Sequence, residues 1–313
     1  MKLGVIMDPI QSINIKKDST FEMLWQAQNL GWDIEYFEMD DLSIDNGIAL
    51  GEARSLKVFQ DPEHWFELQT KSSMKLGSLD AILMRKDPPF DMEFVYATYI
   101  LDLAEEQGAL VVNSPRALRD CNEKAYCAWF PKLCPATVIT RSAEQFKEFL
   151  NKHEDIILKP LDGMGGTSIF RVQKGSPNIN VIIETLTNYG VEYAMAQKFI
   201  PEITEGDKRI LMVDGNPVPY VLARIPTKGE TRGNLAAGGK GVAQAISDDD
   251  LKIAHEVGPE LRKRNILFAG LDIIGDRLTE INVTSPTCIK EINAEFDTNI
   301  ALDLLRAIED KLN

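Results

Sequence analysis

The sequence predicts an α/β and α+β chain. An N-terminal doubly wound parallel-sheet part is followed by a second half of antiparallel hairpins and a few helices. Two observations predict this. Up to about residue 120, short apolar runs alternate with helical stretches, the order of βαβ units. Beyond it, strand-like runs are joined by turns too short for anything but antiparallel neighbours. The length of 313 residues is too great for one ordinary core and suits two or three packed domains.

The elements follow in order. Lys2 to Met7 is a short apolar run ending at Asp8-Pro9, a buried strand and its exit loop. Ser19 to Leu30 places Phe21, Leu24, Trp25 and Gln28 on one helical face, and Gly31 closes it as a C-cap. Strands are expected at Asp33–Glu38, Leu79–Met84 and Ala109–Asn113, with a helix over Phe94–Gln107. Ligands bind such sheets beyond the carboxyl ends of the strands, where Asp8 and Arg85 fall. In the second half, Asp155–Lys159 and Ser168–Val172 read as strands joined by a glycine-rich loop, and Tyr193–Phe199 as another strand. Arg209–Val213 and Val218–Ile225 flank Asp214-Gly215, a strong hairpin signal, with Pro217 and Pro219 putting the second strand's start at an edge. Gly270–Ile274 and Leu278–Val283 make a further hairpin.

Composition narrows the function. A net charge of −14 opposes nonspecific binding to nucleic acid or to an anionic membrane. No apolar run approaches the roughly 20 residues of a membrane span, and the N-terminal stretch is too short for a signal peptide. The cysteines, 121, 127, 134 and 288, form no C-x-x-C pair, so reduced thiols in the cytoplasm are expected rather than a thiolate zinc site.

Four constellations carry chemistry. The first is Lys159 followed by Gly163, Gly165 and Gly166, then Thr167 and Ser168. Glycines let backbone N–H groups turn toward an anion. The spacing fits neither a P-loop nor a dinucleotide fingerprint, and read alone it suits a flexible hairpin equally well. The second is Glu280 and Asn282, two apart on a strand and so on one face, hard donors suited to Mg²⁺. Asp272 joins them only if the hairpin turn is the three residues Gly275, Asp276 and Arg277; a two-residue turn would point it away. Read alone, this set fits a solvated polar face. The third is a set of arginines near strand ends, Arg85, Arg209, Arg224 and Arg232, able to bind carboxylate or phosphate if they converge, and otherwise surface ion-pair partners. The fourth is Ile225–Gly241, long, glycine-rich and aperiodic, which reads as a water-excluding lid or an inert surface loop.

Together these stretches resemble the ATP-grasp superfamily, through Lys159 before its glycines, the strand Ala196–Ile200, Asp207-Lys208-Arg209, and Asp272 with Glu280 and Asn282. MRKDPPF (84–90), SPRALRDCNEK (114–124), ILKPLDGMGG (157–166), ARIPTKGETRGNLAAGGKG (223–241) and GLDIIGDRLTEINVTSPT (270–287) are more narrowly similar to bacterial glutathione synthetases. The resemblance runs from first strand to last helix. It implies an N-terminal substrate domain (1–122), a central subdomain (123–200) and a C-terminal subdomain (201–313) with a mobile lid (226–241).

The resemblance also implies residue roles. Lys124, Lys159 and the Gly163–Ser168 loop would hold ATP phosphates; Gln197, Lys198, Phe199 and Ile200 the adenine; Asp207 the ribose. Asp272, Glu280 and Asn282 would hold Mg²⁺, with Mn²⁺ as an alternative. Arg209, Arg224 and Arg232 would be catalytic, and Arg85, Arg224, Arg232, Ser285 and Thr287 would face substrates. The implied reaction joins γ-glutamylcysteine to glycine through an acyl phosphate, in a homotetramer. Another ATP-grasp ligase, such as a D-alanine–D-alanine ligase, or a non-catalytic ATP-binding protein are the competing readings.

Overall fold

The computed structural model describes residues 1–313 except 231, 236 and 237. The expected lid, 226–241, includes those three positions, which lie outside the described residues.

The N-terminal part begins β1 (Lys2–Ile6), α1 (Ser19–Asn29), β2 (Asp33–Phe37). Four further strands follow, β3 (Leu42–Asp45), β4 (Ile48–Val58), β5 (Phe66–Leu68) and β6 (Ser72–Lys75), then β7 (Ala81–Met84), α2 (Met92–Glu106), β8 (Leu110–Val112) and α3 (Pro115–Asp120). The sheet runs β3-β4-β2-β1-β7-β8, with β5 and β6 paired to β4. β1 is parallel to β2 and β7, and β7 to β8, as the alternating pattern predicts. The Asp18 and Asp91 side chains cap α1 and α2 by accepting from Phe21 N and Phe94 N at 2.6 and 3.0 Å, contacts that stabilise a helix by about 1 kcal/mol each.

β3 to β6 were not visible in the sequence pattern. The reason lies in β4, which pairs antiparallel with β2 and turns Ala49, Gly51 and Ala53 inward. These are small because the Phe37 ring fills the space: a Cβ on Gly51 would sit 2.6 Å from it. Over Ile48–Ala53 the buried face of β4 is alanine and glycine, so that half of the strand shows no apolar alternation, and only Leu56 and Val58 are large and buried.

The second half divides in two. β9 (Thr137–Thr140), α4 (Ala143–His153), β10 (Asp155–Pro160), β11 (Phe170–Gln173), α5 (Ile179–Leu186) and β12 (Ala194–Lys198) form an antiparallel sheet ordered β11-β10-β12-β9. Its core, Phe146, Leu150, Ile156, Leu158, Val172, Ile183 and Leu186 among others, is separate from the rest of the molecule. β13 (Asp207–Val213), β14 (Asn216–Ile225), β15 (Lys240–Ala245), α6 (Asp248–Lys263), β16 (Phe268–Ile274), β17 (Arg277–Asn282), α7 (Ile289–Glu295) and α8 (Ile300–Leu312) complete the chain, with sheet order β15-β14-β13-β16-β17. The Asp214-Gly215 turn is a two-residue hairpin with positive φ at both positions (44° and 68°), as its residues predict. Unlike the central sheet, this one shares its core with the N-terminal part: Leu3, Val5 and Phe21 cluster with Leu211, Phe268, Ile289 and Leu304.

Candidate active site

A cavity of about 340 Å³ opens where the three sheets meet. Its walls come from the N-terminal part (Asn14, Lys17, Asp18, Asp87), the glycine loop (Gly163 to Gly166), the edge residues Glu123 and Lys124, and the last sheet (Arg209, Arg224, Glu280, Asn282). Thr284 to Cys288 and Glu291 close one end.

An array of four carboxylates and four cations forms part of the cavity wall and the layer behind it. Arg209 makes a bidentate pair with Asp272, 2.7 Å on each arm. Arg224 spans Asp207 (2.5 Å) and Asp272 (2.9 Å). Lys159 reaches Glu280 at 3.2 Å, and Lys124 contacts the Glu123 carboxylate, the Gly163 carbonyl at 2.6 Å and Glu280 at 4.0 Å. Burial alone pushes the Asp272 carboxyl up, but Arg209 and then Arg224 override it and hold it well below the usual carboxylate range. Burial likewise raises Glu280, and Lys124 and Lys159 reverse the effect. Asp207 goes the other way. Burial is not fully offset by Arg224, Asp272 and Glu280 add repulsion, and its carboxyl is pushed up to about 6, with Oδ1 buried and unpartnered.

The register that brings Asp272 opposite Glu280 differs from the one expected. The turn is two residues, Gly275 and Asp276, between the paired Ile274 and Arg277. A bulge then intervenes: Ile273 pairs with Leu278 but Asp272 pairs with Glu280, so Thr279 is the extra residue. Its hydroxyl donates to the Asp272 carbonyl at 3.0 Å. The bulge does what a three-residue turn was expected to do.

Among the described residues, no group of three or more His, Cys, Asp or Glu is arranged to hold a metal ion. The donors that do fit one are Glu280 and Asn282, side by side on the cavity wall. The Asn282 amide nitrogen is turned toward the Gly270 carbonyl (3.4 Å) and Asp272 (3.3 Å), so the amide oxygen faces away from both. Two oxygen donors suit a hard cation that takes the rest of its shell from phosphate and water. Asp272 is engaged by both arginines.

The structure brings Lys124, Gly163, Gly165, Gly166, Arg209, Arg224, Glu280, Asn282, Ser285 and Thr287 to the cavity wall. Lys159 and Asp272 stand one layer behind, and Asp207, expected near a ribose, instead holds Arg224. Arg85, expected to face substrate, is buried with its guanidinium donating to Thr20 Oγ1, the Thr284 carbonyl and the Pro286 carbonyl (3.1, 3.4 and 2.9 Å). It holds the strip that lines the cavity. Arg232 pairs with Glu230 and donates to the Gly166 carbonyl at 3.2 Å, tying the expected lid to the glycine loop. Thr167 and Ser168 lie beyond the wall, Ser168 at a φ of 58°. Gln197 is buried and donates to Thr137 Oγ1 at 3.3 Å. The N–H groups of Lys198 and Phe199 already donate to the Ala136 and Asp155 carbonyls, and Ile200 follows β12.

Sequence reasoning missed Asn14, Lys17, Asp18, Glu123 and Glu291 at the cavity, and Asn113 behind it. Only Asp18 had a local signal, as an acidic residue just before an apolar helical run. The others sit in aperiodic loops or helix ends.

Two family models match the chain: the prokaryotic glutathione synthetase N-terminal domain over residues 1–119 and its ATP-grasp domain over 123–297. The chain is 63% identical over 312 residues to the glutathione synthetase of Shewanella oneidensis, covering 100% of this chain and 99% of that one. It is 61% identical over 312 residues to that of Vibrio vulnificus strain CMCP6, covering 100% and 98%. In fold it is similar to the D-cycloserine synthetase DcsG, with a TM-score of 0.71 at 12% identity over the full length of both chains.

Proposed function

The chain belongs to the prokaryotic glutathione synthetase family, and from that premise we propose how its residues do the work. It is an ATP-dependent ligase that joins γ-glutamylcysteine and glycine to give glutathione.

Acyl transfer of this kind needs the substrate carboxylate and the γ-phosphate of ATP, both anions, to approach. The observation that supports the reading is the buried array in which Arg209 and Arg224 meet the cavity while Asp272 fixes both. Donors held in place before the reaction stabilise developing charge without reorganisation. We assign Arg209 and Arg224 to the substrate carboxylate and the transferred phosphoryl group, with Asp207 and Asp272 orienting them. Lys124 and Lys159 take the nucleotide phosphates, releasing Glu280 from their ion pairs, and the Gly163–Ser168 loop lies over the phosphates. Gln197–Ile200 borders the adenine. The carboxylate attacks the γ-phosphorus, an acyl phosphate forms, the glycine amine displaces phosphate, and the segment around Arg232 excludes water meanwhile. Ser285 and Thr287 border the two amino-acid substrates.

ATP-grasp ligases use a divalent metal, and Glu280 with Asn282 would hold it here, supplying charge neutralisation at the phosphates; Mg²⁺ is our choice, with Mn²⁺ as a substitute. We also propose that the chain is cytoplasmic, consistent with four unbridged cysteines, and that it works as a homotetramer. Among the described residues, no helix is long and apolar enough to cross a membrane.

The test is ADP release with Mg²⁺ and ATP, adding γ-glutamylcysteine and glycine separately and together. Release requiring both, with glutathione formed and activity lost in Glu280→Ala, is expected. No release with this pair, while ATP still binds, refutes the substrate assignment. Sedimentation of the purified chain tests the tetramer.

A further inference from the structure

All four cysteines are buried and unbridged, and the proposed reaction uses none of them. Cys127 and Cys134 are in contact. Cys134 Sγ donates to the Cys127 carbonyl at 3.1 Å, which sets its thiol beside that of Cys127. The chain folds back on itself between them, with Phe130 N donating to the Cys127 carbonyl and Cys134 N to the Phe130 carbonyl.

The segment they close adjoins the active site. The stretch that leads into it carries Glu123 and Lys124 on the cavity wall. Together they run along the edge of β17, the strand of Glu280 and Asn282: Ile281 N donates to the Glu123 carbonyl at 2.8 Å and Leu278 N to the Leu133 carbonyl at 3.0 Å. Cys127 Sγ shares the Glu123 carbonyl at 3.7 Å. Lys124 is the N-cap of the 3-10 turn Ala125–Trp129 that carries Cys127.

We propose that Cys127 and Cys134 are a thiol–disulfide couple, closed by exchange with a low-molecular-weight disulfide such as the oxidised form of this enzyme's thiol product, and that closure weakens ATP binding. Cys134, as thiolate, attacks one sulfur of the incoming disulfide. That S–S bond breaks, a mixed disulfide forms on Cys134, and the first thiolate leaves and takes up a proton. Cys127, losing its own proton, then attacks Cys134 Sγ and expels the second thiol. Two protein thiols are oxidised and one disulfide is reduced to two thiols.

Three features support the order and the outcome. Cys134 is the more exposed sulfur residue, 7% against 1% for Cys127. The neighbouring Cys127 lowers the Cys134 thiol, with Lys159 and Arg277 assisting against burial, whereas burial pushes Cys127 well up. Losing both S–H donors leaves no buried acceptor unserved, because the Glu123 and Cys127 carbonyls keep the N–H groups of Ile281 and Phe130. A disulfide bond of about 2.0 Å then draws Cys127 off the Glu123 carbonyl and tilts the turn capped by Lys124.

The full chain is incubated across ratios of glutathione to its disulfide, quenched by alkylation, and read by intact mass and peptide map. Expected are loss of two hydrogens, a bridge mapping to Cys127 and Cys134, and a several-fold rise in KM for ATP that a dithiol reductant reverses. Cys127→Ser stops at the mixed disulfide on Cys134. Four alkylated thiols at every ratio, a bridge between another pair, or a bridge that leaves KM for ATP unchanged each overturns the proposal. The wild-type map decides alone if the variant does not fold. Mass is read without turnover, so failure of the couple and failure of the proposed reaction are told apart.

Discussion

Replacing Asn113 with alanine tests how the N-terminal part positions the site. Asn113 follows β8 and is 3% exposed. Its amide nitrogen donates to the Phe268 and Val283 carbonyls at 2.7 and 2.6 Å, and its oxygen accepts from Leu267 N and Phe268 N at 2.8 and 2.9 Å. One side chain thus satisfies four backbone groups at the ends of β16 and β17. A buried hydrogen bond contributes about 1 kcal/mol net, and an orphaned buried group costs about 1–3 kcal/mol. Asn113→Ala therefore destabilises by about 4 kcal/mol if the space stays dry, and by about half that if water enters. Asn113→Asp aims an oxygen at two carbonyls and is expected to cost at least as much. The assay is urea unfolding, read as a midpoint shift at unchanged m. A second readout is kinetic. Val283 leads into the Thr284–Thr287 strip, so KM for γ-glutamylcysteine should rise more than KM for ATP. A stability loss in Asn113→Ala below about 1 kcal/mol, within the range of ordinary surface changes, refutes the reasoning, as does an equal rise in both KM values.

Other outcomes follow from the same geometry. Gly166 sits at a φ of 83°, and an added Cβ would stand 2.7 Å from Asn234 Oδ1; Gly166→Ala should push the lid segment off the glycine loop, lower kcat and raise ADP release in the absence of glycine. Thr279 is the residue in excess, so deleting it should leave Asp272 opposite Glu280 in a regular hairpin, and added Mg²⁺ should still raise the melting temperature of the ATP complex; loss of that response would refute this register. Asp272→Ala leaves Arg209 and Arg224 buried without their shared partner, a loss of about 3–5 kcal/mol measurable by urea unfolding. Glu105 is pushed up to about 7 by burial first and then by Asp102. The folded state therefore holds its proton more tightly than the unfolded chain, and stability falls as pH rises through the interval up to that value. Melting temperatures from about pH 5 to about pH 8 should decline less steeply in Glu105→Gln than in the wild type; parallel profiles would show that Glu105 does not contribute.

Much of the fold was legible because its signals are local. The apolar runs at Lys2–Met7 and Leu79–Met84 emerge as the parallel β1 and β7, and the Asp214-Gly215 turn as a two-residue hairpin. Where the signal is not local, reading fails. β4 hides because the inward residues of its first half, Ala49, Gly51 and Ala53, are small where Gly51 meets Phe37, a neighbour in space on β2. β15, Lys240–Ala245, hides at the end of the glycine-rich stretch, although it pairs with β14 along six residues.

The site divides the same way. Residue types, the order of motifs and the i, i+2 spacing of Glu280 and Asn282 are properties of the chain alone, and through the family resemblance they carry, they name the chemistry. Which group meets which is not. Arg85 lies 201 residues from the Pro286 carbonyl it holds, and Lys159 lies 121 residues from Glu280. Whether a guanidinium faces substrate or backbone depends on such pairings, which burial and hydrogen-bond satisfaction settle only once the sheets have packed. The bulge at Thr279 is the plainest case: its one-residue offset decides whether Asp272 joins Glu280, and the turn sequence beside it implies the opposite. By itself the sequence determined the local elements and the kinds of groups available; the tertiary structure alone decided their partners, because each partner comes from a distant part of the chain.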